Sequence, residues 1–181
     1  TSFNSDGFTV GLESGVNGSS STLVAWNWKA GTAFSNDASA TSIGSLDSTG
    51  SVSADSGFSI VSWTGDGNAA TIKHGLSTKP SMIILKNRSI VENWPIYHHK
   101  ISSAPETDYI HLDNTNAAGD YPIWNDVEPT TSVFSVGGYD GTNGDGNSLI
   151  AYCFTGKQGY SKFGSYTGNG GSQNFIYTGF R

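Results

Sequence analysis

The chain has 181 residues, nine basic against fifteen acidic side chains, a net charge of −6 and only 13% charged residues. Nucleic acid is a poor partner for such a surface, because a phosphate backbone calls for clustered Lys and Arg, and here they are scattered. No apolar run reaches the roughly 18 residues needed to span a bilayer, and the single cysteine, Cys153, rules out an internal disulfide framework.

In chain order, short apolar or alternating runs predict strands over residues 8–11, 22–28, 57–63, 70–74, 81–86, 109–112, 132–136, 148–154 and 174–177. Each is bounded by Gly, Asn, Asp, Ser or Pro, which permit positive φ or hydrogen-bond their own backbone. Runs 22–28 and 81–86 have the character of buried sandwich-core strands, which places Trp26, Trp28, Tyr152 and Phe154 of the two repeated strands in the core. Trp63 and Tyr166 precede a Thr-Gly-Asp/Asn-Gly turn and are expected to cover its edge. Cys153 lies inside the last long strand and reads as a small packing residue. No window carries a 3.6-residue apolar stripe, so helices should be rare. Many short strands at close spacing predict an all-β chain, a β-sandwich of jelly-roll or lectin-like type.

The chain also repeats itself. Residues 8–30 align without a gap on 134–156, with eight of the 23 positions identical, among them Phe8/Phe134, Gly11/Gly137, Asn17/Asn143 and Leu23/Leu149. A second echo sets Ser62-Trp-Thr-Gly-Asp-Gly67 against Ser165-Tyr-Thr-Gly-Asn-Gly170. Internal repeats point to array-forming proteins before they point to enzymes. The expected organisation is a partial unit with a Ser/Gly-rich connector at 1–61, a complete unit at 62–156, and the start of another at 157–181, all able to pack as one sandwich. On this reading the chain is a segment of a longer, repeated polypeptide.

Searches for chemistry return little. Asp126 and Glu128 are the closest carboxylate pair, but Pro129 follows and a third acid is missing, so no glycosidase-type site is expected. His98 and His99 are adjacent, and neighbours on a strand point to opposite faces. Lys86, Arg88, His98, His99 and Lys100 read as a solvated loop. Gly141–Gly146 lacks the lysine and helix of a phosphate loop and reads as a hairpin turn. Asp140, Asn143 and Asp145 offer hard oxygen ligands suited to calcium, yet the first copy keeps only Asn17. No metal or other cofactor is therefore expected, and those three residues are the candidates if a cation binds.

Aromatic side chains are the stronger binding currency, since they present flat apolar faces to sugar rings or protein partners. Trp94, Tyr97, Tyr121 and Trp124 fall in the least repeated and most loop-like region, and they are the candidate ligand-binding residues.

Taken together, the Ser-Tyr-Thr-Gly-Asn-Gly string, the strand Met82-Ile-Ile-Leu-Lys86 with Trp94 after it, and Phe-Ser/Thr-Val-Gly…Asn-Gly…Leu-Ile/Val-Ala-Tyr/Trp resemble a repeat module. That module is found in tail-fibre and other virion-surface proteins of aquatic bacteriophages, cyanophages included. The likeness runs from Asp6 to Arg181 and departs over 32–55. It implies a β-sandwich displayed on a virion or outside the cell, contributing to host attachment or fibre architecture without catalysis. The implied partners are other copies of itself, as a homo-oligomer such as a trimer, and a host-surface glycan or protein. A carbohydrate-binding module of a secreted bacterial protein, or a repeat of a non-viral extracellular filament, would share these features.

Overall fold

The computed structural model describes residues 2–29 and 31–179. Among these residues twelve strands and three one-turn helices follow in the order β1 (Ser2–Phe3), β2 (Phe8–Thr9), α1 (Ser14–Asn17), β3 (Thr32–Asn36), α2 (Ala38–Thr41), β4 (Ser48–Ser53), β5 (Phe58–Thr64), β6 (Ala70–Lys73) and β7 (Met82–Asn87). They continue with β8 (Pro95–His98), β9 (Asp108–His111), β10 (Gly119–Asp120), β11 (Val133–Val136), α3 (Asp140–Asn143) and β12 (Ser148–Phe154). The fold is an all-β sandwich. Eight strands form one antiparallel sheet in the order β10-β9-β8-β7-β12-β5-β4-β3, and β6 pairs with β11 in a separate two-stranded layer.

Strand β12 explains how the sequence builds this. It runs between β5 and β7, with Leu149 opposite both Trp63 and Asn87, and Ala151 opposite both Val61 and Leu85. A strand flanked on both sides needs β-favouring residues on both faces. Leu149, Ala151 and Cys153 point inward with Val61, Trp63, Ile83 and Leu85, and Ile72, Phe134 and Val136 of the second layer close over them. Each large side chain so buried contributes about 1.5–3 kcal/mol relative to exposure. Burial also pushes the Cys153 thiol up to about 12, which fits a packing role.

The outer face of the large sheet is divided. Thr49 and Ser62 face one another there, their hydroxyls 3.2 Å apart. Toward the other end, Phe58 and Phe154 pack at 5.1 Å between centroids, beside Met82 and Ile84.

Several expectations need correction. Residues 32–55 are not a connector: β3, α2 and β4 complete the large sheet. Their Ser/Thr/Gly composition hid this, because only Phe34 and Val52 of the two strands pack on the core. Phe34 fits because Gly50 and Gly75 are small. A Cβ on Gly75, whose φ is +76°, would lie 2.7 Å from the Phe34 ring. Pro95–His98, read as loop, is strand β8, paired with β7 and β9. Trp63 is not a turn cover but core. Trp26 and Trp28 are not core, being 71% and 46% exposed. Their stretch has the sequence of β12, but no strand pairing flanks it among the described residues. The run 174–177 is likewise unpaired.

Candidate functional site

Tyr97 and Trp124 are not available to a ligand. Both are essentially fully buried, packed edge to face at 5.9 Å in the core. Tyr97 points inward from β8, and burial, with Glu128 and Glu106 nearby, drives its hydroxyl well above the usual tyrosine range. Trp94 is half-buried, with the Lys86 ammonium 5.4 Å from its ring centroid, and Lys86 also donates to the Glu92 carbonyl. Of the four aromatics singled out from sequence, only Tyr121 presents its ring openly.

Its partner is Tyr139. The two rings lie 4.6 Å apart at 47°, and with Glu92, Asn93, His111 and Thr142 they line a cleft of about 130 Å³, roughly four waters' worth of volume. The turn preceding α3 sets this up. Gly137 approaches so closely that a Cβ would lie 2.3 Å from the Pro122 carbonyl and 2.6 Å from the Tyr139 ring. Thr142 Oγ1 donates to the Gly137 carbonyl at 2.8 Å and holds the turn. Partial desolvation, followed by Tyr121 alongside, raises the Tyr139 hydroxyl above its ordinary value. The amide of Asn114 lies 2.8 Å from His111 Nδ1, within hydrogen-bonding distance. The cleft thus offers two tilted aromatic faces beside a carboxylate, an amide and an imidazole. These groups suit a small polar ring held by apolar contact and hydrogen bonds.

Sequence reasoning found Tyr121 and missed its mate, because the two are brought together by the Gly137 turn and not by spacing. It also missed a polar groove of about 440 Å³ on the outer face, where Asp37, Asp47, Thr49, Ser62 and Arg88 converge. Both carboxylates there are committed to α2: Asp37 accepts from Ser39 and Ala40, which lowers its pKa, and Asp47 accepts from Ala38.

The calcium candidates separate. Asn143 is fully buried, its Oδ1 accepting from Trp63 Nε1 while Nδ2 donates to Asp66 Oδ1 and the Asn68 carbonyl, all at 2.8 Å. With its carboxamide consumed, Asn143 cannot complete a set with Asp140 and Asp145. Among the described residues no three His, Cys, Asp or Glu converge on a metal position. Glu128 of the carboxylate pair is engaged by Lys79 at the surface. Among the described residues no helix is long and apolar enough to cross a membrane.

Fold and cleft define an antiparallel β-sandwich module with an aromatic surface recess. Residues 1–181 match a family described as a domain of unknown function (DUF7483), and the chain belongs to that family. No curated protein and no solved structure matches the chain.

Proposed function

We propose that the chain is a non-enzymatic virion-surface module of a phage tail fibre, contributing to host attachment or fibre architecture. The observation that carries this reading is the repeat: flanking a complete sandwich, one chain holds pieces of two further units, as array-forming proteins do. The sparse charge and the Gly/Ser/Thr/Asn surface agree with it. On this reading the module works as a homo-oligomer, and Tyr121 and Tyr139 touch a host-surface glycan or protein. Antibody raised against residues 31–156 should label fibres on virus particles that carry this chain. Labelling confined to cell debris or secreted material would remove the virion assignment.

The Tyr121–Tyr139 cleft favours a second reading, a carbohydrate-binding module of a secreted bacterial protein. Retention on a glycan array by a monomer, lost on Tyr121→Ala, would favour it.

A further inference from the structure

The two flanking segments keep the turns of the elements they echo. Helix α1 stands where α3 stands, 126 residues earlier. In both turns the Asn amide donates to the N-cap carbonyl, Asn17 to Glu13 and Asn143 to Tyr139, and the following turn is closed by Ser21 to Gly18 and Asn147 to Gly144. Ser20 takes a positive φ of 61° where Gly146 takes 68°. In the later segment, the Gly171 amide donates to Asn169 Oδ1 as the Asn68 amide donates to Asp66 Oδ1. Gly170 has a φ of 68° where Gly67 has 73°, and, allowing a one-residue insertion after Gly171, Gly179 has 84° where Gly75 has 76°. The turns of residues 8–28 thus match those of β11–α3–β12, and the turns of 161–179 those of β5–β6, yet no strand pairing joins the two segments among the described residues.

In the body these two halves are each other's partners: β12 pairs with β5 and β11 with β6. Transferring that register sets Leu23 opposite Tyr166, Val24 opposite Ser165 and Trp28 opposite Ser161. The structure already holds the bases of both segments together. Trp28 and Phe163 pack on the same ring, Phe154, at 5.5 and 6.1 Å. One segment runs toward that anchor and the other away from it, as antiparallel pairing demands. Trp26, Trp28, Ser161 and Phe163 all line one apolar groove of about 670 Å³ over Phe58 and Met82. Their counterparts, Tyr152, Phe154, Phe58 and Ile60, share one face of the large sheet. The same side-chain parity on both segments therefore faces the body.

We propose that residues 22–28 and 161–167 of one chain pair as a β12/β5-type ribbon, lying across the apolar end of the outer sheet face as an added layer. Asn17 then meets Tyr166 and Asn169 where Asn143 meets Trp63 and Asp66. Closure covers Trp26, Trp28 and Phe163, and it occupies a surface otherwise open to association between copies.

The test is a pair of engineered cysteines in the full chain. Opposed strand residues have Cβ atoms about 4.5–5.5 Å apart, close to disulfide range. Leu23→Cys with Tyr166→Cys should oxidise to a disulfide within one chain. It should form about ten-fold faster than in the Val24→Cys with Tyr166→Cys control, whose side chains project to opposite faces. Non-reducing denaturing electrophoresis and peptide mass mapping read the result. Phe8→Cys with Ile176→Cys, counterparts of the opposed Phe134 and Ile72 once the one-residue insertion after Gly171 is counted, provides a second pair should the first perturb the segments. All of these positions are exposed. Equal rates in matched and control pairs, or no disulfide in either matched pair, would overturn the proposal. A disulfide joining two chains would overturn it too, by showing that the partner is a second copy.

Discussion

Replacing Asn143 by Ala is the perturbation that bears most directly on how the sandwich is held. The carboxamide ties the end of α3 to the β5–β6 turn through three hydrogen bonds of 2.8 Å. Asp66 and Asn68 are exposed and regain water when Asn143 is shortened, so each of those bonds is worth about 0.5–1.5 kcal/mol. The Trp63 indole N–H is buried and cannot, and an orphaned buried donor costs about 1–3 kcal/mol. The sum is about 4 kcal/mol, or about 12 °C in melting temperature for a chain of this size. Asn143→Asp keeps an acceptor for Trp63 but sets a second carboxylate against Asp66, and it should also destabilise. Urea unfolding of N143A, W63F and the double variant checks the assignment. The double variant should fall short of the summed single losses by about 1–2 kcal/mol, as expected for residues in direct contact. Additivity within about 0.5 kcal/mol, or a loss below about 1 kcal/mol for N143A, would refute the reasoning.

Four further outcomes are expected. His74 is buried, accepts from the Leu76 amide at Nδ1 and faces the Thr130 carbonyl through Nε2; burial lowers its pKa to about 4. The unfolded chain, near 6.5, then binds the proton first, so stability falls as pH drops from about 6.5 to about 4, by about 3 kcal/mol in all. Urea midpoints across that range should show this slope in the native chain and a shallower one in His74→Phe. Gly75→Ala should cost about 3 kcal/mol, from positive φ and collision with Phe34. Gly146→Ala, at φ +68° but with nothing within 4 Å, should cost about 1–2 kcal/mol, so equal thermal shifts would refute the packing argument. Tyr121→Ala should leave stability within about 0.5 kcal/mol while weakening retention on any bound glycan about ten-fold, read on an array. Cys153 should resist a thiol reagent in the folded chain and react on unfolding, and prompt labelling under native conditions would contradict its burial.

The strands that were legible in the sequence, such as β5, β7 and β12, place apolar residues at most inward positions, Ser59 and Asn87 being the exceptions. Those that were not, β3 and β4, belong to the same sheet but offer the core little beyond Phe34 and Val52, and Ser, Thr and Gly elsewhere read as linker. Alternation at 22–28 predicts a buried strand, and the described residues form none there. It cannot say whether partners are present, and so it misplaced Trp26 and Trp28. Aromatic density at 94–124 marked a special region but not direction: Pro95 opens a strand whose alternation turns Tyr97 inward, and Trp124 follows it into the core. Tyr139 escaped notice as a partner of Tyr121 because their approach depends on a backbone contact only Gly137 permits. Asn143, repeated as Asn17, was visible as an identity, and its role became plain only when Trp63 proved to be core.

The central claim is that this is an array-forming module acting as an oligomer on a surface. Light scattering after size-exclusion chromatography of the recombinant chain tests it most directly. A stable trimer or higher assembly is the expected result. A single species at the chain mass of 19.0 kDa, unchanged on concentration, would contradict it.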